Sequence, residues 1–275
     1  MFRRILVLAD NYKLTDSLLR YIPNVFPTSE YHVLSVIDYA YDILSVTDYV
    51  EDTLHESAIR AMLHCVSILD EAGINTRKTI LKGNFQAVVE KYVRENGIDL
   101  VATETYIDEV KKKSHFSWHL ERLFRAIRIP ILFMDRPVEE KKPGSVCILY
   151  SATGHSEAAV NIGMRLANWL KATCTVLYVG QRKGSEVFPH LEQKAERMGV
   201  PVQIDRHEYT SSHELLAAIG CYDLLVTSRG GRSWKDRILM TLKRLPLKKI
   251  EIEAILYAPI PTILVGECPE VSYGY

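Results

Sequence analysis

The sequence lacks three features that would each indicate a definite class of protein. Its five cysteines are scattered and form no CxxC pair, which argues against a disulfide framework and a structural zinc site. Lysine and arginine total 34, as do aspartate and glutamate, so there is no basic surplus of the kind that binds nucleic acid. No run approaches the roughly 18 apolar residues of a membrane helix. We therefore expect a cytoplasmic protein with reduced thiols, and neither a nucleic-acid nor a membrane partner.

What is present is the composition of an ordinary globular protein. Of the 275 residues, 47% are hydrophobic and 25% are charged, which excludes a disordered chain. The apolar run Ile5–Ala9 is too short for the core of a signal peptide, and it ends at the acid Asp10. The length is typical of two domains, each large enough for a core of its own.

The sequence repeats itself with a period of about half its length. An apolar run typical of a buried strand opens each half, and a helix pattern follows that begins with a hydroxyl residue and an acid. The matched openings are Ile5–Leu8 with Val146–Leu149, and Thr15-Asp16 with Ser156-Glu157. Strand and helix patterns then alternate, so each half predicts the order βαβαβαβαβ.

Later landmarks also match between the halves. A glycine ends the second helix, a polar residue caps the third, an aspartate opens the fourth strand, and Ile-Pro precedes the fifth. Continuous apolar strands that alternate with amphipathic helices predict a parallel sheet covered on both faces. The matched residues are Gly73 with Gly199, Asn84 with Ser211 or Ser212, Asp99 with Asp223, and Pro130 with Pro261.

The charged, proline-containing stretch from Asp135 to Gly144 is typical of a linker. We name the first half lobe one and the second half lobe two. Lobe one has a long insert between Asp38 and Gly73, and lobe two is the longer one before Pro261. The predicted boundaries are 1–137 for the first domain, 138–144 for the linker, 145–267 for the second domain and 268–275 for a C-terminal tail.

The stretch Asp223–Ser233, which runs from an acidic-aliphatic strand into Ser228-Arg229-Gly230-Gly231, and the two Ile-Pro strands resemble the universal stress protein family in its tandem form. The resemblance covers residues 2–135 and 145–266. It implies two α/β, Rossmann-like (adenine nucleotide alpha-hydrolase-like) domains, each a five-stranded parallel sheet of order 3-2-1-4-5 with helices on both faces. It also implies a stress-response role and an internal pseudo-dimer of the two domains, with further dimerisation left open.

The resemblance also implies a phosphate loop, because many members bind ATP or AMP through Gly, two residues, Gly, nine residues, Gly, then Ser or Thr. Glycines there let backbone N–H groups approach phosphate oxygens. Lobe two keeps only the second glycine and the closing hydroxyl, and lobe one keeps no glycine. The matching positions are Thr227, Gly230, Met240 and Thr241 in lobe two, and Thr103, Tyr106, Phe116 and Ser117 in lobe one.

By the same resemblance, both lobes carry candidate nucleotide contacts. Arg229 and Arg232 suit anion capture because guanidinium groups bind oxygens in pairs, although a solvated loop is the other interpretation. Asp10, which is Ser151 in lobe two, either holds a ribose or adenine edge or caps its loop. The candidates are Ser151, Ala152, Val179, Thr227, Ser228, Arg229, Gly230, Gly231, Arg232 and Thr241 in lobe two, and Asp10, Val36, Thr103 and Ser117 in lobe one.

No catalytic residue is predicted. The sequence has no GxxxxGK[ST], GxGxxG or GxSxG motif. His115 and His119 stand four apart without a matched acid or cysteine, so no metal site is predicted beyond nucleotide-associated magnesium.

The main hypothesis is a non-enzymatic regulatory or binding protein of the universal stress type, with an unidentified protein partner. Its adenine-nucleotide site is degenerate and binds ATP or AMP weakly or not at all. The alternative is a genuine ATP- or AMP-binding universal stress protein that hydrolyses ATP slowly in lobe two.

Overall fold

The structure is a computed structural model of the chain, which divides into two compact units, Phe2–Lys141 and Lys142–Tyr275. These units contain the two halves of the repeat, and the names lobe one and lobe two are kept for them. The residues that the structure describes are 1–9, 16–38, 48–104, 123, 127–134, 137–151, 154–179, 188–205, 209, 211–228 and 258–266.

Lobe one has five strands in the order β3-β2-β1-β4-β5, and the strand pairs are parallel. This is the order 3-2-1-4-5 that was predicted. Its elements are β1 Arg4–Leu8, α1 Asp16–Val25, β2 Glu30–Ile37, α2 Asp48–Glu71, β3 Thr76–Lys82, α3 Phe85–Glu95, β4 Leu100–Glu104 and β5 Ile131–Met134.

Lobe two repeats this arrangement. Its strands follow the order β8-β7-β6-β9-β10, again with parallel pairs, so the tandem α/β prediction is confirmed. Its elements are β6 Ser145–Tyr150, α4 Gly154–Leu170, β7 Thr173–Tyr178, α5 Phe188–Met198, β8 Val202–Asp205, α6 Ser212–Ile219, β9 Leu224–Ser228 and β10 Thr262–Val265.

The first strand of each lobe lies in the middle of its sheet and is covered on both faces. Residues Ile5–Leu8 of β1 and Val146–Leu149 of β6 are all buried, as continuous apolar strands of a parallel sheet should be. Helix α4 approaches β6 closely at Gly163. A Cβ atom at that position would lie 2.6 Å from both Cδ1 and Cγ1 of Ile148, so only glycine fits without a shift.

Most of the predicted helix ends are confirmed, and one cap is wrong. The side chain of Asn84 accepts hydrogen bonds from the backbone N–H groups of Gln86 and Ala87. Ser211, rather than Ser212, caps α6. Ser156 does not cap α4, because that helix begins two residues earlier at Gly154, which places Ser156 inside the first turn.

The glycines that were predicted to end helices have the left-handed backbone that favours this residue. Gly73 has φ +74° and Gly199 has φ +63°. Each donates its backbone N–H to a carbonyl three residues earlier, as is usual where a helix ends in such a conformation.

An aspartate before the fourth strand ties the amino ends of two strands together in each lobe. The carboxylate of Asp99 accepts hydrogen bonds from the backbone N–H groups of Arg3 at 2.8 Å and Arg4 at 3.1 Å. Oδ2 of Asp223 accepts from the N–H groups of Gly144 at 2.9 Å and Ser145 at 3.0 Å. Burial nonetheless raises the pKa of Asp99. The matched aspartates are therefore structural.

No helix among the described residues is both long and apolar enough to cross a membrane.

Candidate functional site at the carboxyl edge of each sheet

The central strands of lobe two separate at their carboxyl ends. The pairing of β6 with β7 extends to the last residue of each, Tyr150 and Tyr178. The pairing of β6 with β9 ends at Ile148 and Val226, although β9 continues to Ser228. Strand order reverses at this point, and open α/β sheets bind ligands in such a crevice.

Lobe one has the same separation. The pairing of β1 with β4 ends at Val7 and Ala102, while the pairing of β4 with β5 continues to Glu104 and Met134. Each lobe thus offers one crevice beyond the carboxyl ends of its first and fourth strands.

The structure brings four of the predicted residues of lobe two to this edge. Ser151 directly follows β6, Val179 directly follows β7, and Thr227 and Ser228 are the last two residues of β9. The backbone N–H of Val179 donates to the carbonyl of Tyr150 at 2.9 Å, which holds the ends of β6 and β7 together. These four residues therefore share one edge of the sheet, and their role in binding stays a prediction.

The other predicted residues divide into two groups. Val36 lies near the end of β2 and Thr103 near the end of β4, at the corresponding edge of lobe one. The rest stay predictions because they lie outside the described residues, as do the histidines considered for a metal. They are Ala152, Arg229, Gly230, Gly231, Arg232, Thr241, Asp10 and Ser117, with Tyr106, Phe116, Met240, His115 and His119.

The first glycine position of the phosphate-loop pattern lies inside a strand in both lobes. Thr227 pairs with Leu264 of β10 and has a 3% exposed side chain. Thr103 pairs with Phe133 of β5 and is half-buried. Both backbones are extended, a conformation that suits β-branched residues. Neither residue occupies a turn where backbone N–H groups converge.

The carboxylate of Glu157, in the first turn of α4, is the centre of a polar cluster beside the edge of lobe two. The hydroxyl of Tyr150 donates to its Oε1 at 2.6 Å, and Nζ of Lys194 donates to its Oε2 at 2.6 Å. Nε2 of His190 lies 3.5 Å from the same Oε2. The cluster joins β6, α4 and α5.

The electrostatics of this cluster favour the ionised carboxylate. Burial opposes ionisation of Glu157, but the hydrogen bonds from Lys194 and Tyr150 outweigh it and lower its pKa. Burial, reinforced by the nearby carboxylate, raises the pKa of Tyr150. The tyrosine is therefore a neutral donor and the glutamate an anion at neutral pH.

Sequence reasoning recognised Glu157 only as a first-turn acid. Its link to Lys194 spans 37 residues, and no short-range spacing reports a contact of that length. The signal available in the sequence was a tyrosine at the end of each of the neighbouring strands β6 and β7, namely Tyr150 and Tyr178. Their rings lie 6.3 Å apart, and Phe188 packs edge-on against Tyr178 at 5.5 Å.

Lobe one has a separate polar network around the buried side chain of His32, at the opposite, amino end of its sheet. Nδ1 of His32 lies 3.0 Å from the hydroxyl of Tyr92, and its Nε2 lies 3.2 Å from Oε1 of Glu30. Nε of Arg4 donates to the other oxygen of Glu30 at 3.1 Å. Burial lowers the pKa of His32, against the opposing effect of Glu30. This network braces strands and lies away from the crevice.

The chemistry of the described residues gives no support to a metal centre. No group of three or more histidine, cysteine, aspartate or glutamate side chains in the described ranges is placed to hold a metal ion. Burial raises the pKa of the thiol groups of Cys147 and Cys174, so neither is an activated nucleophile.

Comparison with known proteins identifies the fold. No protein-family model matches the sequence, and no curated protein matches it. A universal stress protein from Archaeoglobus fulgidus DSM 4304 has a similar structure, with a TM-score of 0.75 at 16% identity over 95% of this chain and 97% of that chain. A functionally unknown protein from Pseudomonas aeruginosa PAO1 gives 0.59 at 14% identity, over 96% and 92%. The chain therefore has the fold of a universal stress protein over nearly its whole length.

Proposed function

We propose that the chain is a universal stress protein of the tandem two-domain form, which acts as a non-enzymatic regulatory or binding protein with a degenerate adenine-nucleotide site. The observation that supports this most strongly is the similarity of nearly the whole chain to the Archaeoglobus universal stress protein. Both halves of the repeat take part, because each forms a sheet of order 3-2-1-4-5.

The crevice in each lobe supports ligand binding rather than a purely structural role. In lobe two, Ser151 and Ser228 flank the place where β6 and β9 separate. Hydroxyl groups at that position suit the polar edges of a nucleoside. Arg229, Arg232, Gly230 and Thr241 are the residues proposed to hold phosphate, with magnesium arriving only as part of the nucleotide.

The threonines at the first glycine position support a degenerate site. Thr227 is packed within β9 between paired neighbours, so this part of the pattern does not supply a flexible phosphate cradle. Part of the binding free energy that a complete loop provides is then lost. We expect dissociation constants for ATP and AMP on the order of 1 mM, equivalent to about 4 kcal/mol.

The experiment has two steps on the full-length protein. The purified protein is denatured, and the released small molecules are analysed by absorbance and chromatography for adenine nucleotides. ATP and AMP are then titrated by calorimetry, and phosphate release is followed with magnesium present. We expect no co-purified nucleotide, weak binding, and no phosphate release above the background without protein.

The contrary result would support the alternative function. Co-purified ATP near one equivalent, with magnesium-dependent phosphate release that Thr241→Ala abolishes, would indicate a genuine ATP-binding protein with slow hydrolysis in lobe two. If ATP and AMP fail to bind at all, the nucleotide part of the proposal is wrong and a protein partner alone remains.

Three further properties belong to the proposal. The two domains pair as an internal pseudo-dimer through their last strands, β5 and β10, because both are short and apolar except for Thr262 and such edges need covering. The protein acts in the cytoplasm. It takes part in a stress response together with a protein partner. Limited proteolysis of the full chain followed by size exclusion tests the pairing: fragments that separate contradict it.

A further inference from the structure

We infer that Tyr150, Glu157 and Lys194 form a positioning anchor that fixes the nucleoside-contacting edge of lobe two. The inference rests on the proposed nucleotide function and deepens it. The anchor should affect the binding of the base and ribose of the nucleotide rather than the binding of its phosphates. We also predict that lobe two binds a nucleoside more tightly than lobe one.

The anchor connects three elements of lobe two. Tyr150 belongs to β6, Glu157 to α4 and Lys194 to α5, and two hydrogen bonds of 2.6 Å connect them. Side chains of Lys194 and Glu157 are 20% and 30% exposed, so solvent screens this pair less than it screens a surface ion pair. Charge-assisted hydrogen bonds of this length are among the stronger ones in proteins.

The anchor lies directly beside two of the proposed ligand contacts. Tyr150 immediately precedes Ser151, and its carbonyl accepts the backbone N–H of Val179. Its ring packs near that of Tyr178, the residue before Val179. A shift of Tyr150 therefore moves both proposed contacts, while Thr227 and Ser228 belong to β9, whose pairing with β6 has already ended.

Lobe one has only part of the corresponding arrangement. Asp16 is the acid in the first turn of α1, the first helix of lobe one. Its Oδ1 lies 2.9 Å from Nε2 of His64 on α2, the next helix. Both side chains of that pair are more than half exposed. The residue that corresponds to Tyr150 is Ala9, which has no hydroxyl. Lobe one thus has the link between helices without the link to the strand end.

The decisive experiment compares two tyrosines of lobe two. Tyr209 also donates its hydroxyl to a carboxylate at 2.6 Å, that of Asp205 at the end of β8, and it belongs to the hydrophobic cluster against which Val179 packs without being part of the anchor. Tyr150→Phe and Tyr209→Phe therefore remove the same chemistry, and only the first touches the anchor. Adenosine and ATP are titrated into the full chain and both variants at equal salt and magnesium.

We expect Tyr150→Phe to raise the dissociation constants of adenosine and ATP by the same factor, about fivefold, which corresponds to one hydrogen bond. We expect Tyr209→Phe to change them by less than about twofold, with a similar loss of thermal stability. Without ligand, the backbone amide of Val179 should exchange its hydrogen faster in Tyr150→Phe only. Lys194→Met should act in the same direction, and Lys194→Arg should restore affinity because it keeps a cationic donor.

Each contrary result has a separate meaning. If the parent binds adenosine and both tyrosine variants bind it equally well, the anchor does not position the ligand and the inference is wrong. Unchanged exchange at Val179 in Tyr150→Phe also overturns it, with or without ligand. If the parent binds neither adenosine nor ATP, the nucleotide function proposed above is what fails, and with it the ligand role of the anchor.

Discussion

The replacement Gly163→Ala tests how closely α4 packs on the sheet of lobe two. In an exposed helix interior this change stabilises a protein by roughly 1 kcal/mol, because alanine is the better helix former. Here the new Cβ would lie 2.6 Å from Cδ1 and Cγ1 of Ile148 and 3.5 Å from Cβ of Val226. Optimal carbon contacts are about 3.5–4.0 Å, so the helix or Ile148 has to move by about 1 Å.

The expected magnitude follows from two opposing effects. Overpacking a well-filled core costs about 1–3 kcal/mol, and Ile148 and Val226 are fully buried. Subtracting the roughly 1 kcal/mol gained from helix propensity leaves a net destabilisation of about 1–2 kcal/mol. Asn161→Ala on the exposed face of α4 is the control, and we expect it to be neutral or slightly stabilising.

Urea unfolding with pulsed hydrogen exchange on peptides from α4 measures the effect in lobe two alone, since a two-domain chain need not unfold in one step. A double-mutant cycle with Ile148→Val identifies the cause, because valine lacks Cδ1. Ile148→Val should cost about 0.5–1.5 kcal/mol in the parent and clearly less beside Gly163→Ala. A stabilised Gly163→Ala variant, or additive free energies, would refute the close approach.

Three further predictions concern His32, Asp223 and Thr227. Burial lowers the pKa of His32 below its ordinary value of about 6.5, and Arg4 and Arg77 lower it further while Glu30 opposes the shift. The unfolded chain therefore binds the proton first on acidification, so the stability of lobe one should be full above about pH 6.5 and fall below it. His32→Asn should remove this fall from the pH dependence of the urea midpoint. Asp223→Ala should destabilise lobe two by about 1 kcal/mol or more, because it removes the carboxylate that accepts hydrogen bonds from two backbone N–H groups and from the Ser145 hydroxyl; equal hydrogen-exchange protection in variant and parent would contradict this. Thr227→Gly should lower the stability of lobe two by about 1 kcal/mol or more without improving ATP affinity, since the position is strand rather than turn; a gain in affinity would place it in the loop.

The fold could be predicted from the sequence because its signals are local. Apolar runs such as Ile5–Leu8 give buried strands, and Asn84 and Gly73 mark helix ends by chemistry that acts within four residues. Because the two halves of the sequence repeat the same pattern, a weak signal in one half was supported by the matching signal in the other. Ser156 was misassigned because a helix can begin at any of several polar residues in Gly154–Glu157, and tertiary packing decides which.

The candidate site was predicted less completely, because its determinants are contacts between distant elements. Ser151 and Val179 were predicted from the family resemblance, and the structure places each directly after a strand, while their role as ligand contacts stays a prediction. The partnership of Tyr150, Glu157 and Lys194 depends on how α5 packs beside α4, and nothing in the spacing of these residues encodes it. The sequence pattern matched Thr227 to the first glycine of the phosphate loop but did not reveal that this residue is still part of β9.

The two lobes agree at one end of their sheets and differ at the other. At the amino ends, Asp99 and Asp223 make equivalent hydrogen bonds to the first strand. Toward the carboxyl ends, the repeat matches Tyr150 and Ser151 of lobe two with Ala9 and Asp10 in the sequence of lobe one. The fold needs only that the strands be held in register, and the amino-end aspartates meet this need in both lobes. The carboxyl edge is therefore free to carry different side chains, and any functional difference between the lobes should arise there.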